Sequence, residues 1–470
     1  MAQTFFFYDL ETSGLNPRQD RIMQFAGQRT DMSLKPIGEP YNLLVTLNDD
    51  TLPSPDALMV TGITPQKTVE EGYSEAQFAR MLSEEIFTSE TIAVGFNNIR
   101  FDDEFIRHLL WRNFHDPYEW SWKDGRSRWD LLDVVRLTRA LRPEGINWPL
   151  DAKGEPSNRL ELITDANGIA HENAHDALAD VTALIAVTKL IKQKQPQLYD
   201  YLLKMRDKKV VQQLVNVDDK KPFVYASGRY DKEFAKTTVA FPLTTSRNGG
   251  VVVYDLRYDP TPFVELDTNE LAAKIFASWE ERQAENFVKL PVKELQYNRC
   301  PAVAPLGVLE QGDGWQKISL DAETIQKHQN ILLKHPDFVE KLRSIFENKP
   351  AFKKLPDPEA QLYDGFLDDC DRLRVEAVRN ADERELADFH PEFQDERLAP
   401  LLLHYKARNF PRSLSEDDLV QWEAWRSQHL QAQLPGFMAS LQRLASTATD
   451  EQFILQELQL WAEAVLPSSD

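Results

Sequence analysis

An α/β fold is predicted for the first part of this 470-residue chain, followed by a β-containing second domain and an α-helical third domain. Three observations predict this order. Strand-length apolar runs alternate with segments of helical spacing up to residue 192. An Asn-Gly-Gly turn at 248–250 separates two apolar runs, and amphipathic helical patterns occupy the sequence beyond 358. We place the domain boundaries at 1–192, 196–349 and 353–470.

The first domain is predicted to alternate strands and helices. Thr4–Tyr8 is apolar and of strand length, whereas Asn173–Lys194 carries apolar residues on one helical face and ends before Pro196. The predicted elements are, in order, strands Thr4–Tyr8, Met23–Thr30 and Tyr41–Leu47, helix Tyr73–Phe87, strand Thr91–Phe96, and helices Phe101–Phe114, Trp129–Leu141 and Asn173–Lys194.

The second domain is predicted to contain a small antiparallel sheet. Asn-Gly-Gly joins the apolar runs Thr238–Phe241 and Val251–Tyr254 as a β-hairpin, and Phe223–Tyr225 precedes them as a further strand. The proline-rich segment 349–358 is predicted to be the linker to the third domain. Helices are predicted at Leu271–Gln283, Ala322–Leu333, Gln421–Gln433 and Gln452–Val465.

The cysteine content and the apolar stretches exclude several classes of protein. Cys300 and Cys370 are too few for a disulfide framework or a thiolate metal site, and they fit a reducing cytoplasm. The longest apolar-rich stretch, Val181–Ile191, is shorter than the ~20 residues that span a bilayer. The amino-terminal segment lacks the basic and small-residue features of a signal peptide. We therefore expect a cytoplasmic protein without membrane contact.

The charge distribution restricts where a nucleic acid could bind. The chain has 54 basic and 75 acidic residues, a net charge of −21, which taken alone argues against a polyanionic partner. Residues 201–250 differ, with 10 basic and 5 acidic side chains. A phosphate-binding surface would therefore be a local groove in an acidic protein.

Acidic residues follow or begin predicted elements at three places in the first domain. Asp9 and Glu11 are two residues apart at the end of the first strand, so both side chains lie on one face, and neighbouring buried carboxylates favour a divalent cation. Asp102 follows the buried strand Thr91–Phe96, and Asp180 lies in the helix Asn173–Lys194. Each signal alone also fits an ordinary surface or helix-terminal residue, as does His175 near the start of that helix.

Taken together, these signals have the order and spacing of a known family. Asp-x-Glu after the first strand, Asp102 after the next buried strand and His-x-x-x-x-Asp at residues 175–180 resemble the DEDD-type 3′→5′ exonucleases that carry a histidine before the last aspartate. The resemblance implies a ribonuclease H-like domain in which Asp9, Glu11, Asp102 and Asp180 bind two magnesium ions, with manganese as an alternative. It also implies that His175 is the general base.

Aromatic and basic residues between 107 and 148 narrow the substrate. Five of the ten tryptophans lie there among arginines, a combination typical of single-strand binders. We assign Trp111 and Trp148 to the core, and Tyr118 and Trp122 to binding. The resemblance extends along the chain to the bacterial exonuclease I family through the segments 113–118, 127–133, 141–149, 361–366 and 405–411.

This closer resemblance implies a monomer that degrades single-stranded DNA processively from its 3′ end and releases 5′-mononucleotides. It implies an SH3-like second domain and a helical third domain that close a ring around the strand, and single-strand DNA-binding protein as a partner. Positions along the DNA path are, by the same resemblance, Arg107, Tyr118, Trp122, Arg128, Arg136, Arg142, Arg159, Tyr201, Lys208 and Lys221.

Two alternatives remain open from the sequence. An exoribonuclease or oligoribonuclease would use the same catalytic residues, but the second and third domains argue against it. A DNA-binding clamp with an inert nuclease site would not require four acids and a histidine in this order. Hydrolysis of DNA and RNA oligomers distinguishes all three.

Overall fold

A computed structural model describes residues 2–171, 176–349, 354–447 and 452–466. The chain divides into two units. The first consists of Met1–Arg128, His171–Ile185 and Lys353–Asp470, and the second of Trp129–Ala170 and Ala186–Phe352. Of the helices that the structure describes, none combines the length and the apolar character needed to cross a membrane.

The first sheet has five strands in the order β3-β2-β1-β4-β5. Its central strand, β1, is antiparallel to β2 and parallel to β4. The prediction for β1 was right in position but too short, because the polar residues at its end continue the pairing with β2 as far as Thr12. The strands are β1 Thr4–Thr12, β2 Ile22–Thr30, β3 Tyr41–Leu44, β4 Thr91–Gly95 and β5 Ser127–Asp130.

Phenylalanines at the start of β1 fix this strand in the interior. Phe5, Phe6 and Phe7 are fully buried, so both faces of β1 are covered. On one face Phe6 and Tyr8 pack against Phe25 and Phe87. Full burial of such side chains stabilises the fold by about 1.5–3 kcal/mol each. This packing keeps rigid the strand that carries Asp9 and Glu11.

The helices follow the predicted pattern, with local differences. The predicted helix Tyr73–Phe87 is α3 followed by a π-helical turn, Leu82–Ile86, and Gln421–Gln433 is part of one long helix, α19. The α-helices are α1 Pro55–Thr61, α2 Pro65–Glu71, α3 Glu75–Met81, α4 Asp102–Arg112, α5 Leu131–Leu141, α6 Leu160–Ala166, α7 Ala177–Lys194, α8 Pro196–Lys204, α9 Lys208–Leu214, α10 Thr261–Val264, α11 Thr268–Phe276, α12 Trp279–Arg282, α13 Gly314–Lys317, α14 Ala322–Lys334, α15 Pro336–Glu347, α16 Asp369–Asn380, α17 Glu383–Asp388, α18 Leu398–Asn409, α19 Glu416–Thr447 and α20 Gln452–Val465.

Within the first unit, the carboxyl-terminal helices share hydrophobic cores with the amino-terminal segment. Met23 and Leu58 belong to one buried cluster with Leu430 and Trp461. A second cluster joins Trp111 and Phe114 of the amino-terminal segment to residues of α16 and α18. The two segments therefore fold against each other although more than 200 residues separate them in the sequence.

A buried ion network also joins these two segments. Glu359 accepts hydrogen bonds from His404 at 2.7 Å and from Arg21 at 2.9 Å, and its carboxylate is 2.5 Å from the guanidinium of Arg408. Burial opposes ionisation of Glu359, but Arg408 and Arg21 hold its pKa well below the ordinary value. We call the following set the buried ion network: Arg21, Asp50, Glu75, Arg112, Glu359, His404 and Arg408.

The second unit contains an antiparallel sheet in the order β10-β6-β7-β8-β9. The predicted hairpin is present, since β7 pairs with β8 across a turn in which Gly249 has φ 72°. A side chain is strained at this φ, which explains the glycine. The strands are β6 Phe223–Ala226, β7 Thr237–Thr245, β8 Val251–Asp255, β9 Val292–Leu295 and β10 Ala302–Pro305.

Replacement of Asp255 by Asn is expected to stabilise the second unit at neutral pH. Asp255 is 6% exposed, and burial raises its pKa to about 6 although Thr238 donates a hydrogen bond to it. Because the folded state binds this proton more tightly than the unfolded state, stability falls as the pH rises from about 4 to about 6. Calorimetry should show a stabilisation on the order of 1–2 kcal/mol at pH 7.5 and less at pH 4.5.

The matched control is Asp200→Asn, which changes an exposed aspartate of the same unit. Its unfolding temperature is expected to follow that of the unaltered protein at both pH values. If Asp255→Asn destabilised the protein more at pH 7.5 than at pH 4.5, the burial argument for this carboxyl group would be wrong.

Candidate active site

Strand pairing brings three sequence-predicted acids to one edge of the first sheet. Asp9 and Glu11 lie on the same face of β1, opposite Ala26 and Gln24 of β2. Because β1 and β4 are parallel, the segment that follows β4 emerges at the same edge, and Asp102 begins α4 there.

The turn between β4 and α4 depends on a glycine. A Cβ atom on Gly95 would lie 2.5 Å from the Cβ of Asn98, which is closer than two carbon atoms can approach. Asn97 adopts a left-handed conformation with φ 71°, and the 3₁₀ turn Asn98–Arg100 leads into α4. This tight connection sets the position of Asp102, which is 4% exposed.

The fourth acid, Asp180, lies in the first turn of α7. Asp176 caps this helix, since its carboxylate accepts hydrogen bonds from the backbone N–H groups of residues 178 and 179 at 3.1 Å. Carboxylate oxygens of Asp9, Glu11 and Asp180 lie within 4.8 Å of one another. Elements distant in sequence therefore place these acids in one cluster.

The electrostatics of this cluster favour a bound cation. Burial, followed by the charges of Asp102, Glu11 and Asp180, raises the pKa of Asp9 well above its ordinary value. Burial and the charges of Asp180 and Asp102 raise the pKa of Glu11 to about 8. Like charges this close destabilise one another unless a cation neutralises them, and an all-oxygen donor set suits hard divalent ions.

Asp103, a further acid in the first turn of α4, makes buried contacts with other elements. It is fully buried, accepts hydrogen bonds from the Tyr8 hydroxyl group and from Asn98 Nδ2, and forms an ion pair with Arg128. These contacts add to the favourable interaction of an acid in the first turn with the helix dipole. These contacts tie the beginning of α4 to β1, beside Asp102.

Two histidines are relevant to the expected general base, His175 itself and His171. His175 lies outside the described residues. His171 is described, and its Nε2 atom is 2.5 Å from Oδ1 of Asp180. His171 was not among the predicted site residues, although it is a second histidine four residues before His175 in the sequence.

The predicted DNA-contacting residues of the first unit differ in exposure. Trp122 is 64% exposed, whereas Arg128 is 7% exposed and paired with Asp103. The Arg107 guanidinium lies 5.6 Å from the ring centre of Tyr118, so the structure brings these two residues together. Trp111 is buried, as predicted.

The predicted residues of the second unit are mostly basic and partnered. Arg136 lies 2.5 Å from Asp133, Arg142 donates a hydrogen bond to Gln311 at 3.1 Å, and Tyr201 packs against the core cluster of that unit. The more exposed cations are Arg159, 67% exposed and paired with Glu161 at 2.6 Å, Lys208, and Lys221, 77% exposed and 3.7 Å from Asp219.

Models of three protein families match consecutive parts of the chain. Residues 6–188 match a family described as exonuclease, residues 206–348 the exonuclease I SH3-like domain, and residues 356–465 the exonuclease I C-terminal domain. The predicted succession of a ribonuclease H-like exonuclease domain, an SH3-like domain and a helical domain is confirmed.

Similar proteins match over nearly the whole length. Exodeoxyribonuclease I of Haemophilus influenzae is 40% identical over 459 residues, which cover 97% of either chain. A crystal structure of Escherichia coli exonuclease I in complex with a dA16 oligonucleotide superposes with a TM-score of 0.95 at 38% identity, covering 99% of this chain and 100% of the other. A structure of SSB/exonuclease I in complex with an inhibitor has a TM-score of 0.91 at 38% identity, with the same coverage.

Proposed function

We infer the reaction of this site from the premise that the chain belongs to the exodeoxyribonuclease I family. We propose that this exodeoxyribonuclease degrades single-stranded DNA processively in the 3′→5′ direction and releases 5′-mononucleotides. The observation that supports this most directly is that carboxylate oxygens of Asp9, Glu11 and Asp180 lie within 4.8 Å of one another. The charge of Asp102 also raises the pKa of Asp9 and of Glu11.

Exonucleases of this family need divalent metal ions. We propose two magnesium ions, with manganese as a substitute, held by Asp9, Glu11, Asp102 and Asp180. Bound ions of this kind lower the pKa of the attacking water and neutralise charge on the scissile phosphate. The protein contributes a rigid β1 and a fixed start of α4, so the carboxylates need little rearrangement to bind them.

We propose His175 as the general base that takes a proton from the attacking water. His171 has a different part in the proposal, because its Nε2 atom contacts Asp180 and can fix the orientation of that carboxylate.

The DNA path is proposed to include Arg107, Tyr118, Trp122 and Arg128 of the first unit and Arg136, Arg142, Arg159, Tyr201, Lys208 and Lys221 of the second. Backbone phosphates would contact the cations and unpaired bases the aromatic rings. We further propose a cytoplasmic monomer that associates with single-strand DNA-binding protein, with domains at 1–192, 196–349 and 353–470.

Digestion of a 5′-labelled single strand, beside its duplex and its RNA equivalent, tests this function. With magnesium, we expect rapid loss of the single-stranded DNA alone, few intermediate lengths and complete inhibition by EDTA. His175→Ala is expected to abolish cleavage and His171→Ala to reduce it about 10- to 100-fold, as for residues that orient metal ligands.

Two other outcomes of this digestion would favour a different function for the protein. Preference for the RNA strand would contradict the proposal and favour an exoribonuclease. Binding of the single strand without any cleavage would favour the DNA-binding clamp.

A further inference from the structure

One buried carboxylate connects four segments of the first unit beside the site acids. Asp103, in the first turn of α4, accepts a hydrogen bond from the hydroxyl group of Tyr8 of β1 and pairs with Arg128 of β5. The amide of Asn98, in the turn between β4 and α4, donates to the same carboxylate at 3.1 Å. We call Tyr8, Asn98, Asp103 and Arg128 the Asp103 network.

This network is closed to solvent, and both oxygens of its carboxylate have partners. Tyr8, Asn98 and Asp103 are fully buried, and Arg128 is 7% exposed. Oδ1 of Asp103 accepts from Tyr8 and Asn98, while Oδ2 accepts from Arg128. Because a buried polar group that loses its partner is costly, the four segments are held in one arrangement.

The hydroxyl group of Tyr8 has no role in filling the core. The three residues before it, Phe5, Phe6 and Phe7, are buried phenylalanines, and the Tyr8 ring packs against Phe25 as a phenylalanine ring would. A buried hydroxyl group is unfavourable unless it is hydrogen-bonded. Its contribution to the protein is therefore the hydrogen bond to Asp103.

The network connects the backbone positions of two site acids. Tyr8 directly precedes Asp9, and Asp103 directly follows Asp102. Burial and then the charge of Asp102 raise the pKa of Asp9, which indicates that these two carboxylates are close together. The hydrogen bond between Tyr8 and Asp103 therefore restrains the spacing of Asp9 and Asp102, which lie on different elements.

The two divalent ions most useful for a test differ in how strictly they require such spacing. Magnesium demands nearly octahedral oxygen ligands at about 2.0–2.1 Å, whereas calcium accepts six to eight ligands at about 2.3–2.6 Å in flexible geometry. A site whose carboxylates move apart should therefore lose affinity for magnesium more than for calcium.

We propose that Tyr8 and Asp103 are positioning residues, whose hydrogen bond sets the spacing of the Asp9 and Asp102 carboxylates and thereby favours magnesium over calcium. This inference rests on the proposed function. It assigns a role to two buried residues that had none in the sequence analysis.

The test measures metal affinity without DNA, as competition of magnesium or calcium against manganese, whose free form is followed by electron paramagnetic resonance. Tyr8→Phe removes the hydroxyl group and changes no charge. It is expected to raise the Kd for magnesium about 10- to 100-fold, as for groups that orient metal ligands, and the Kd for calcium by a smaller factor. Asn98→Ala, which removes the second donor to Asp103, should shift both Kd values in the same direction.

The matched control is Tyr297→Phe in the second unit. Tyr297 is 9% exposed, and its hydroxyl group donates to the carbonyl oxygen of Val215 at 3.1 Å. This variant also loses a buried tyrosine hydrogen bond and the stability that goes with it. Its affinities for magnesium and calcium should equal those of the unaltered protein.

Strand binding and hydrolysis provide a second readout. Binding of a fluorescein-labelled dT15, measured by anisotropy in EDTA, should stay within about twofold in Tyr8→Phe, as should the KM for dT15. The loss should appear in kcat with magnesium, because the substitution leaves the strand-binding residues in place.

Three results would contradict the proposal. If Tyr8→Phe and Asn98→Ala lowered only the unfolding temperature and left the magnesium affinity unchanged, the network would be structural. Equal losses of magnesium and calcium affinity would show that the spacing of the carboxylates is not what the hydrogen bond controls. In both cases the proposed function would stand, whereas an unaltered protein that bound no divalent ion would refute the inference and the proposed function together.

Discussion

Replacement of Asp9 by Asn is expected to reduce metal-dependent cleavage of single-stranded DNA by at least about a thousandfold. Metal ions held by these carboxylates, as proposed, would supply several kcal/mol of transition-state stabilisation, and each 1.36 kcal/mol lost is a factor of ten in rate. Binding of dT15 in EDTA should change little, since the aromatic and basic residues remain. Digestion assays and anisotropy together measure both effects.

Thermal unfolding separates the loss of metal from the loss of fold. Under the proposed function magnesium binds only the folded state, so it should raise the unfolding temperature of the unaltered protein, and this increase should disappear in Asp9→Asn. In EDTA the variant should be at least as stable, since one of four mutually repelling carboxylates has been removed. Lower stability in EDTA, with loss of DNA binding, would assign Asp9 a folding role instead.

A matched control for this variant is Asp124→Asn. Asp124 is exposed and has φ 53°, a conformation that asparagine also adopts, so the substitution removes a surface charge and one exposed ion pair, with Arg126 at 3.6 Å. Its cleavage rate and its magnesium-dependent stabilisation should equal those of the unaltered protein.

Replacement of Arg408 by Met is expected to destabilise the protein by about 3–5 kcal/mol, the cost of removing one partner from a buried ion pair. The Arg408 guanidinium lies 2.5 Å from Glu359 and 2.6 Å from Asp50, and all three side chains are at most 2% exposed. Without it, Asp50 is left 3.9 Å from the guanidinium of Arg21, too far for a direct hydrogen bond. Urea unfolding, followed by tryptophan fluorescence, measures the effect.

The corresponding control breaks an exposed ion pair. Arg443 pairs with Asp56, and the two side chains are 55% and 54% exposed, so Arg443→Met should cost less than about 1 kcal/mol. If Arg408→Met cost no more than this control, the buried ion network would not be what stabilises the contact between the two segments.

Much of the fold could be predicted because local patterns agree with it. The apolar run of β1, the Asn-Gly-Gly hairpin and the apolar face of α7 each determine an element through neighbouring residues. Strand β5 was missed, since Ser127–Asp130 is short and its pairing with β4 is not visible locally. Its residues Trp129 and Asp130 had been assigned to the following helix.

The candidate site was predictable to the extent that its residues form ordered motifs. Asp9 and Glu11 of β1 come together with Asp180 of α7, as the resemblance of their ordered motifs to a known family implied. The buried contacts of Asp103 and of His171 could not be predicted, because their partners, such as Tyr8 and Asp180, are set by tertiary structure. The DNA-contacting residues and the role of His175 stay predictions.

Contacts between residues far apart in the sequence could not be predicted from local patterns. Arg21 and Glu359 are 338 residues apart, and a charged residue considered alone is expected at the protein surface. Phe366 likewise looks like a core residue by its chemistry, but it is 83% exposed. Only the packing of the two segments reveals either feature.

The shared cores and the buried ion network have a consequence for how the protein is made. During synthesis, the segment with Arg21, Glu75 and Arg112 leaves the ribosome long before the one with Glu359 and Arg408. Until the later segment arrives, Arg21 lacks its carboxylate partner at 2.9 Å, and apolar surface around Trp111 is uncovered. The nascent nuclease domain therefore matures only when the rest of the chain emerges, so that a prematurely terminated chain would yield an unstable nuclease rather than an active one.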